Sequence, residues 1–270
     1  MKLEDRPEPA GFTRLDLSAV LATVALLAGL VLTTAGVDRQ AIQGQLCRSN
    51  LRQLMRAWSL YTLDNRDRIP LNPTSGGNNG NWCDNGFIDL SPSPGNWNPN
   101  ALTNAQLWRY ASQSDLWRCP ADPSTVRPPG RGDLPRIRSY SMNATVGNSP
   151  NIWAQNYRSY LKLSDFTLPG PERTFVLIDE HPGSINDGAF AVEMDSFGAN
   201  PSNRRWVDLP ANHHQGGAHL TFADGHLETW RWQDARTQPA YRPGVLLQLN
   251  VSSPNNPDIP RLQAVTTARP

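Results

Sequence analysis

The sequence predicts an α+β protein: a long N-terminal helix packed on an antiparallel, β-rich and loop-rich globular head. Three observations predict this class. Residues 19–37 carry no charge, and Val20, Leu21, Val24, Leu26, Leu27, Leu30, Val31 and Leu32 make that run apolar. Cys47, Leu51, Leu54, Trp58 and Tyr61 then recur at spacings of four, three, four and three, which is one stripe on a helix. The second half of the chain holds short apolar or alternating runs separated by turn residues, the pattern of strands.

Composition bounds the function. A chain of 270 residues has room for one sizeable domain or two small ones. The net charge of +1 gives a nucleic-acid partner no electrostatic support. With 20 glycines, 24 prolines and many asparagines, the chain favours turns and long loops over a compact helical bundle. The mean hydropathy is −0.52 even with the apolar run included, so the remainder is strongly polar.

Taken in order, residues 1–11 form a polar leader and residues 12–37 an apolar helix. About 20 apolar residues in a helix span the ~30 Å hydrocarbon core of a bilayer, so this run is read as a transmembrane segment. A secretory signal peptide has a basic n-region, whereas Lys2 and Arg6 are outnumbered here by Glu4, Asp5 and Glu8. A plain signal anchor is one alternative. A cut before the apolar run, between Gly11 and Phe12, is the other. Residues 38–65 continue the helix as an amphipathic segment, with Arg48, Arg52, Gln53 and Arg56 off its apolar stripe. Asp64-Asn65-Arg66-Asp67 followed by Pro70 ends it.

Residues 66–270 are the head. Residues 72–100 read as a long loop held by Trp82, Phe87, Ile88 and Trp97, and residues 101–111 as a short helix. Strands are predicted at 136–142, 174–178, 188–194 and 205–209, and around Asp224-Gly225 at 218–223 and 226–232. Asp-Gly between two strands is the signal of a type I′ hairpin. A last helix is expected near 258–265. Cys47, Cys83 and Cys119 are odd in number, so one thiol stays unpaired if a bridge forms. Cys47–Cys119 is the preferred disulfide because it ties the head to the helix, and Cys83 is the competing partner.

Gly11-Phe12-Thr13-x-Leu15-Asp16 followed by an apolar helix resembles the type IV prepilin family, whose signal is Gly-Phe-Thr-Leu-Ile-Glu. Cys47-Arg-Ser-Asn-Leu-Arg-Gln-Leu, Cys119-Pro-Ala-Asp122 and His214-x9-Asp224-Gly225 are similar to phrases of the prepilin-like proteins abundant in planctomycete and verrucomicrobial genomes. The resemblance implies a pilin-like fold and a structural subunit of a type IV pilus-like or type II secretion pseudopilus-like filament, not an enzyme. It implies cleavage after Gly11 and methylation of Phe12 by a prepilin peptidase, with Asp16 as the acid that meets a neighbouring subunit's N-terminus. Its partners are then that peptidase, other copies or other pilin-like subunits, and the inner membrane, with the head in the periplasm. A non-polymerising membrane-anchored binding or secretion-accessory protein is the rival.

All five histidines fall between His181 and His226, among several acids. Imidazole and carboxylate donors suit zinc, and carboxylates with carbonyls suit calcium. Asp179, Glu180, His214 and Asp224 are the residues named for a divalent cation, although no diagnostic spacing is present. Of the nine tryptophans, Trp82, Trp97, Trp153 and Trp206 fall in loops and are the candidates for stacking on a glycan.

Overall fold

The computed structural model describes residues 13–73, 80–83, 88–147 and 153–270; the side chains of residues 30–38 are outside the description. The chain divides into two compact units, Met1–Ile42 and Gln43–Pro270. Helix α1, Arg14–Asp64, passes from one to the other.

In the first unit, α1 starts with a reciprocal cap. The Thr13 backbone N–H donates to Asp16 Oδ2 at 2.8 Å, and the Asp16 N–H donates to Thr13 Oγ1 at 3.2 Å, satisfying two donors that a helix start leaves open. The described side chains beyond it are exposed, including Leu15, Leu17, Val20, Leu21, Val24, Leu26 and Leu27.

The expected membrane-spanning half of this helix is corrected here. No helix among the described residues is long and apolar enough to cross a membrane. The described apolar stretch from Leu15 to Gly29 amounts to about 22 Å of helix, against about 30 Å of hydrocarbon, and it contains Asp16, Ser18 and Thr23. The expected single-pass inner-membrane anchoring, with a periplasmic head, falls with it.

In the second unit, α1 buries Cys47, Leu51, Leu54, Met55, Ala57, Trp58 and Thr62. It ends in a Schellman cap: Asp67 N–H donates to the Thr62 carbonyl at 3.1 Å, with Arg66 at φ 56° and Asp67 at φ 70°. The remaining elements in chain order are α2 (Pro94–Trp97), β1 (Thr125–Val126), β2 (Leu134–Pro135), β3 (Tyr140–Asn143), β4 (Phe175–Asp179), β5 (Ala189–Phe190), β6 (Arg205–Trp206), β7 (Gly217–Phe222), β8 (Leu227–Arg231), β9 (Val251–Ser252) and α3 (Asp258–Gln263). The segment read as a helix at 101–111 is instead the end of a 3₁₀ helix, Pro99–Leu102, followed by turns.

The main sheet has the order β5-β3-β4-β7-β8. It is mixed rather than antiparallel, because β5 runs parallel to β3, with Met142 facing Ala189. Its central strands are buried on both faces. Tyr140, Met142, Val176 and Leu177 pack with the α1 stripe. On the other side Ala218, Leu220 and Phe222 pack with Trp230, Trp232, and Ile259 and Leu262 of α3. The half-buried alternation expected for residues 136–142 is absent for this reason: every residue of β3 is covered.

The hairpin between β7 and β8 forms around Asp224-Gly225, but not as a type I′ turn. Gly225 alone has positive φ, at 93°. Gly225 N–H donates to the Phe222 carbonyl at 2.8 Å and Phe222 N–H to the His226 carbonyl at 3.0 Å, which is a three-residue loop closed by a left-handed glycine. At the other end of β7, a Cβ on Gly217 would lie 2.0 Å from the Trp230 carbonyl oxygen, so only glycine fits.

Two of the four loop tryptophans named for glycan stacking are core residues. Trp82 stacks on Trp117 at 5.7 Å, and Trp206 packs edge-on to Trp232; neither presents a free face. Leu54 is fully buried while Leu21 is 61% exposed. Urea unfolding is therefore expected to show Leu54→Ala destabilising the head by about 2–5 kcal/mol, and Leu21→Ala changing it by less than about 0.5 kcal/mol.

Candidate functional site

Strand register lays a row of polar side chains across the sheet. Tyr140 on β3 is opposite Asp179 on β4, and His219 on β7 is opposite Thr229 on β8. The row is joined in the middle where the His219 N–H donates to Asp179 Oδ2 at 3.0 Å. Cys47 descends on it from α1. Its thiol donates to Asp179 Oδ1 at 3.3 Å and lies 3.3 Å from Tyr140 Oη. The next residue on the helix, Arg48, donates to Thr229 Oγ1 at 3.2 Å.

Two loops complete the cluster. Cys119 sits in the Cys-Pro-Ala-Asp turn, where Asp122 N–H donates to the Cys119 carbonyl at 3.0 Å. The Asp122 carboxylate holds that turn by accepting from Ser124 N–H and Ser139 Oγ. Gln43 and Asn50 of α1 donate to the carbonyls of Pro120, Asp115 and Arg118, so the helix itself fixes the loop. His214 precedes β7 in a tight loop with Gln215 at φ 56° and Gly216 at φ 77°. Its Nε2 lies 3.1 Å from Asp179 Oδ2 and 3.5 Å from Cys119 Sγ.

Cys47, Cys119, Asp179 and His214 thus bring one donor atom each into a group in which all four lie within 4.8 Å of one another. Cys47, Cys119 and Asp179 are fully buried, and His214 is 9% exposed. The His214 ring stacks on His219 at 4.0 Å, and His219 Nδ1 lies 2.9 Å from Thr229 Oγ1.

The electrostatics follow from burial and mutual contact. Burial pushes the Cys47 thiol well above its usual range, and the neighbouring Cys119 and Asp179 add to it. Burial also works on Cys119, but contact with Cys47 and His214 outweighs it and lowers that thiol. Asp179 would be raised by burial, yet the His214 hydrogen bond and charge bring it below the ordinary carboxylate value. Burial opposes a charged His214, but Asp179 and Cys119 overcome this and raise it to about 10. Asp179 and His214 thus face one another at 3.1 Å, each favouring the other's charged form, with a thiol on each side.

Cysteine, histidine and aspartate together invite comparison with a nucleophilic triad. In a triad the acid sits on the imidazole nitrogen opposite the nucleophile. Here Asp179 and Cys119 both meet Nε2, and both thiols are fully buried. Donors gathered about one point are instead the arrangement of metal ligands.

The residues named from sequence separate in space. Asp179 and His214 belong to the cluster. Glu180 does not, because successive side chains of an extended chain point to opposite sides; it accepts from Ser184 Oγ at 3.0 Å. Asp224 does not, because β7 intervenes between it and His214, about 20 Å of extended chain. It lies at the hairpin turn and accepts from His226 N–H at 3.1 Å. Cys47 and Cys119 approach one another as thiols, and none of the three cysteines is in a disulfide. Asp16 caps α1, and Gly11 and Phe12 lie outside the described residues. What sequence reading missed was the pairing of both thiols with Asp179 and His214. The only available signal was that Cys47 fell on the buried stripe.

No family model matches the chain, and no curated protein or solved structure matches it either.

Alkylation under denaturing, non-reducing conditions is expected to label all three cysteines, read by mass spectrometry. Behind the cluster, burial pushes Asp208 up from 3.8 to about 8. The folded chain then binds more protons than the unfolded chain between those values, so Asp208 makes stability fall as pH rises through that window. Its Oδ2 accepts from Ala191 N–H, a role an amide oxygen can fill. Asp208→Asn is expected to match the parent Tm near pH 4 and to exceed it increasingly up to about pH 8.

Proposed function

We propose that the chain is a structural subunit of a filament of the type IV pilus or type II secretion pseudopilus kind, assembling with other copies of itself through the N-terminal part of α1. One observation carries this reading. Leu15, Leu17, Val20, Leu21, Val24, Leu26 and Leu27 are each 50–80% exposed, and their positions spread over most of the helix circumference. A helix apolar on several sides needs cover on several sides. A single partner helix covers one stripe, whereas a filament core surrounds each helix with others. The resemblance of Gly11-Phe12-Thr13-x-Leu15-Asp16 to the prepilin signal supports the same reading, with a prepilin peptidase cutting after Gly11. The cap that Asp16 makes with Thr13 gives this acid a role in starting the helix, besides any contact with a neighbouring N-terminus. The work of such a subunit is packing and not catalysis.

Sedimentation and negative-stain electron microscopy of the full chain test the proposal. The parent is expected to form elongated assemblies, and Leu21→Asp/Val24→Asp to stay monomeric with an unchanged melting temperature of the head. A parent that remains monomeric at every concentration, or a double variant that assembles as the parent does, overturns it. Mass spectrometry of the native N-terminus reads the processing step: an N-methylated Phe12 is expected, and an intact Met1 removes the peptidase as a partner.

A further inference from the structure

We propose that Cys47, Cys119, Asp179 and His214 form a closed, four-ligand site for one zinc ion, which fastens the second part of α1 to the sheet of the head. The proposal is independent of filament assembly.

Geometry is the first argument. Zinc binds thiolate sulfur at about 2.3 Å, imidazole nitrogen at about 2.0–2.1 Å and carboxylate oxygen at about 2.0–2.2 Å. A tetrahedron built from those bonds has edges of about 3.4–3.8 Å. Cys119 Sγ lies 3.5 Å from His214 Nε2, and Asp179 meets both sides with different oxygens, Oδ1 at 3.3 Å from Cys47 Sγ and Oδ2 at 3.1 Å from His214 Nε2, of which one would ligate. The remaining donor pairs stay within 4.8 Å. Closing the widest of these pairs to a tetrahedral edge takes about 1 Å, within the reach of side-chain rotation on ion binding.

Donor chemistry is the second. Two sulfurs, one imidazole nitrogen and one carboxylate oxygen suit zinc, while calcium and magnesium take oxygen ligands. The calcium alternative raised by the acidic residues is thereby excluded at this site.

The surroundings supply the rest of a metal site. Tyr140 Oη stands 3.3 Å from Cys47 Sγ, and His219 N–H donates to Asp179 Oδ2; such outer contacts orient ligands and tune affinity. A Cβ on Gly44 would lie 3.6 Å from His214 Nδ1, in ordinary van der Waals contact, so α1 passes close over the ring. Four protein ligands in a buried site leave no position for water or substrate, which makes the role structural. The ligands come from α1, the Cys119 turn, β4 and the loop before β7, so one ion joins four segments distant in sequence.

The test uses the full, reduced chain stripped with a chelator and titrated with cobalt(II), which reports geometry by its colour. A one-to-one end point is expected, with the strong visible bands of tetrahedral cobalt and a thiolate-to-cobalt charge-transfer band, both lost on adding zinc. Cys119→Ser is expected to lose about half of the charge-transfer intensity and Cys83→Ser none. Tyr140→Phe is expected to weaken zinc binding about 10–100-fold. The proposal is overturned if the folded parent binds neither ion, if the cobalt spectrum is octahedral, or if freshly purified protein contains a Cys47–Cys119 disulfide. Because the decisive readout is on the parent chain, a variant that fails to fold does not blunt it.

Discussion

Leu51, Leu54, Met55 and Trp58 seat one face of α1 on the sheet, and the rest of the head depends on that contact. Each such side chain contributes about 1.5–3 kcal/mol when fully withdrawn from water. The same contact also organises polar groups. Gln43 and Asn50 of the helix hold the loop that carries Cys119, and Arg48 reaches Thr229 at the far end of the sheet row. Cys47 begins this face, at the point where helix, loop and sheet converge.

A polar cluster under a helix is costly unless its members satisfy one another. The Asp179–His214 pair illustrates how this is arranged. The carboxylate accepts from the His219 backbone and from Cys47 and meets the imidazole directly. A buried pair of this kind adds little to stability compared with apolar packing, but loss of one partner leaves the other exposed to the full penalty of burial. That asymmetry makes the row Tyr140, Asp179, His219 and Thr229 a specifier of how α1 seats, because a helix turned to another face would leave these groups without Cys47 and Arg48. The hydrophobic stripe by itself tolerates more alternatives.

The first unit obeys different physics. Its helix starts from the Thr13–Asp16 cap and then exposes leucine and valine on several sides. Nothing within the described chain covers those side chains. The head covers its apolar side chains within itself, while the described start of the helix leaves its own exposed. The two parts of α1 share one backbone geometry and differ in what surrounds them.

Local patterns were legible in the sequence because their causes are local. Helical spacing marked α1 and its buried stripe, Asp64 to Pro70 marked its end, and turn chemistry marked the hairpin at Asp224-Gly225. Short apolar runs located β4 and β7, and α3 fell where a last helix was expected. Tertiary structure decided the rest. A parallel β5 requires a connection whose partner strand no local pattern specifies, and burial of both sheet faces erased the alternation expected along β3. The apolar run misled the reading toward a bilayer, since a count of apolar residues overlooks the Asp16, Ser18 and Thr23 that interrupt it, and no helix among the described residues is long and apolar enough to cross a membrane. The site shows the division most clearly. Asp179 and His214 could be singled out by residue type, but Glu180 was grouped with them by adjacency and Asp224 by motif. Strand geometry turns Glu180 to the opposite side and holds Asp224 a strand's length away. Only the seating of α1 and the register of four strands bring Cys47 and Cys119 to Asp179 and His214, because convergence of distant segments is a property of packing and leaves no trace in spacing.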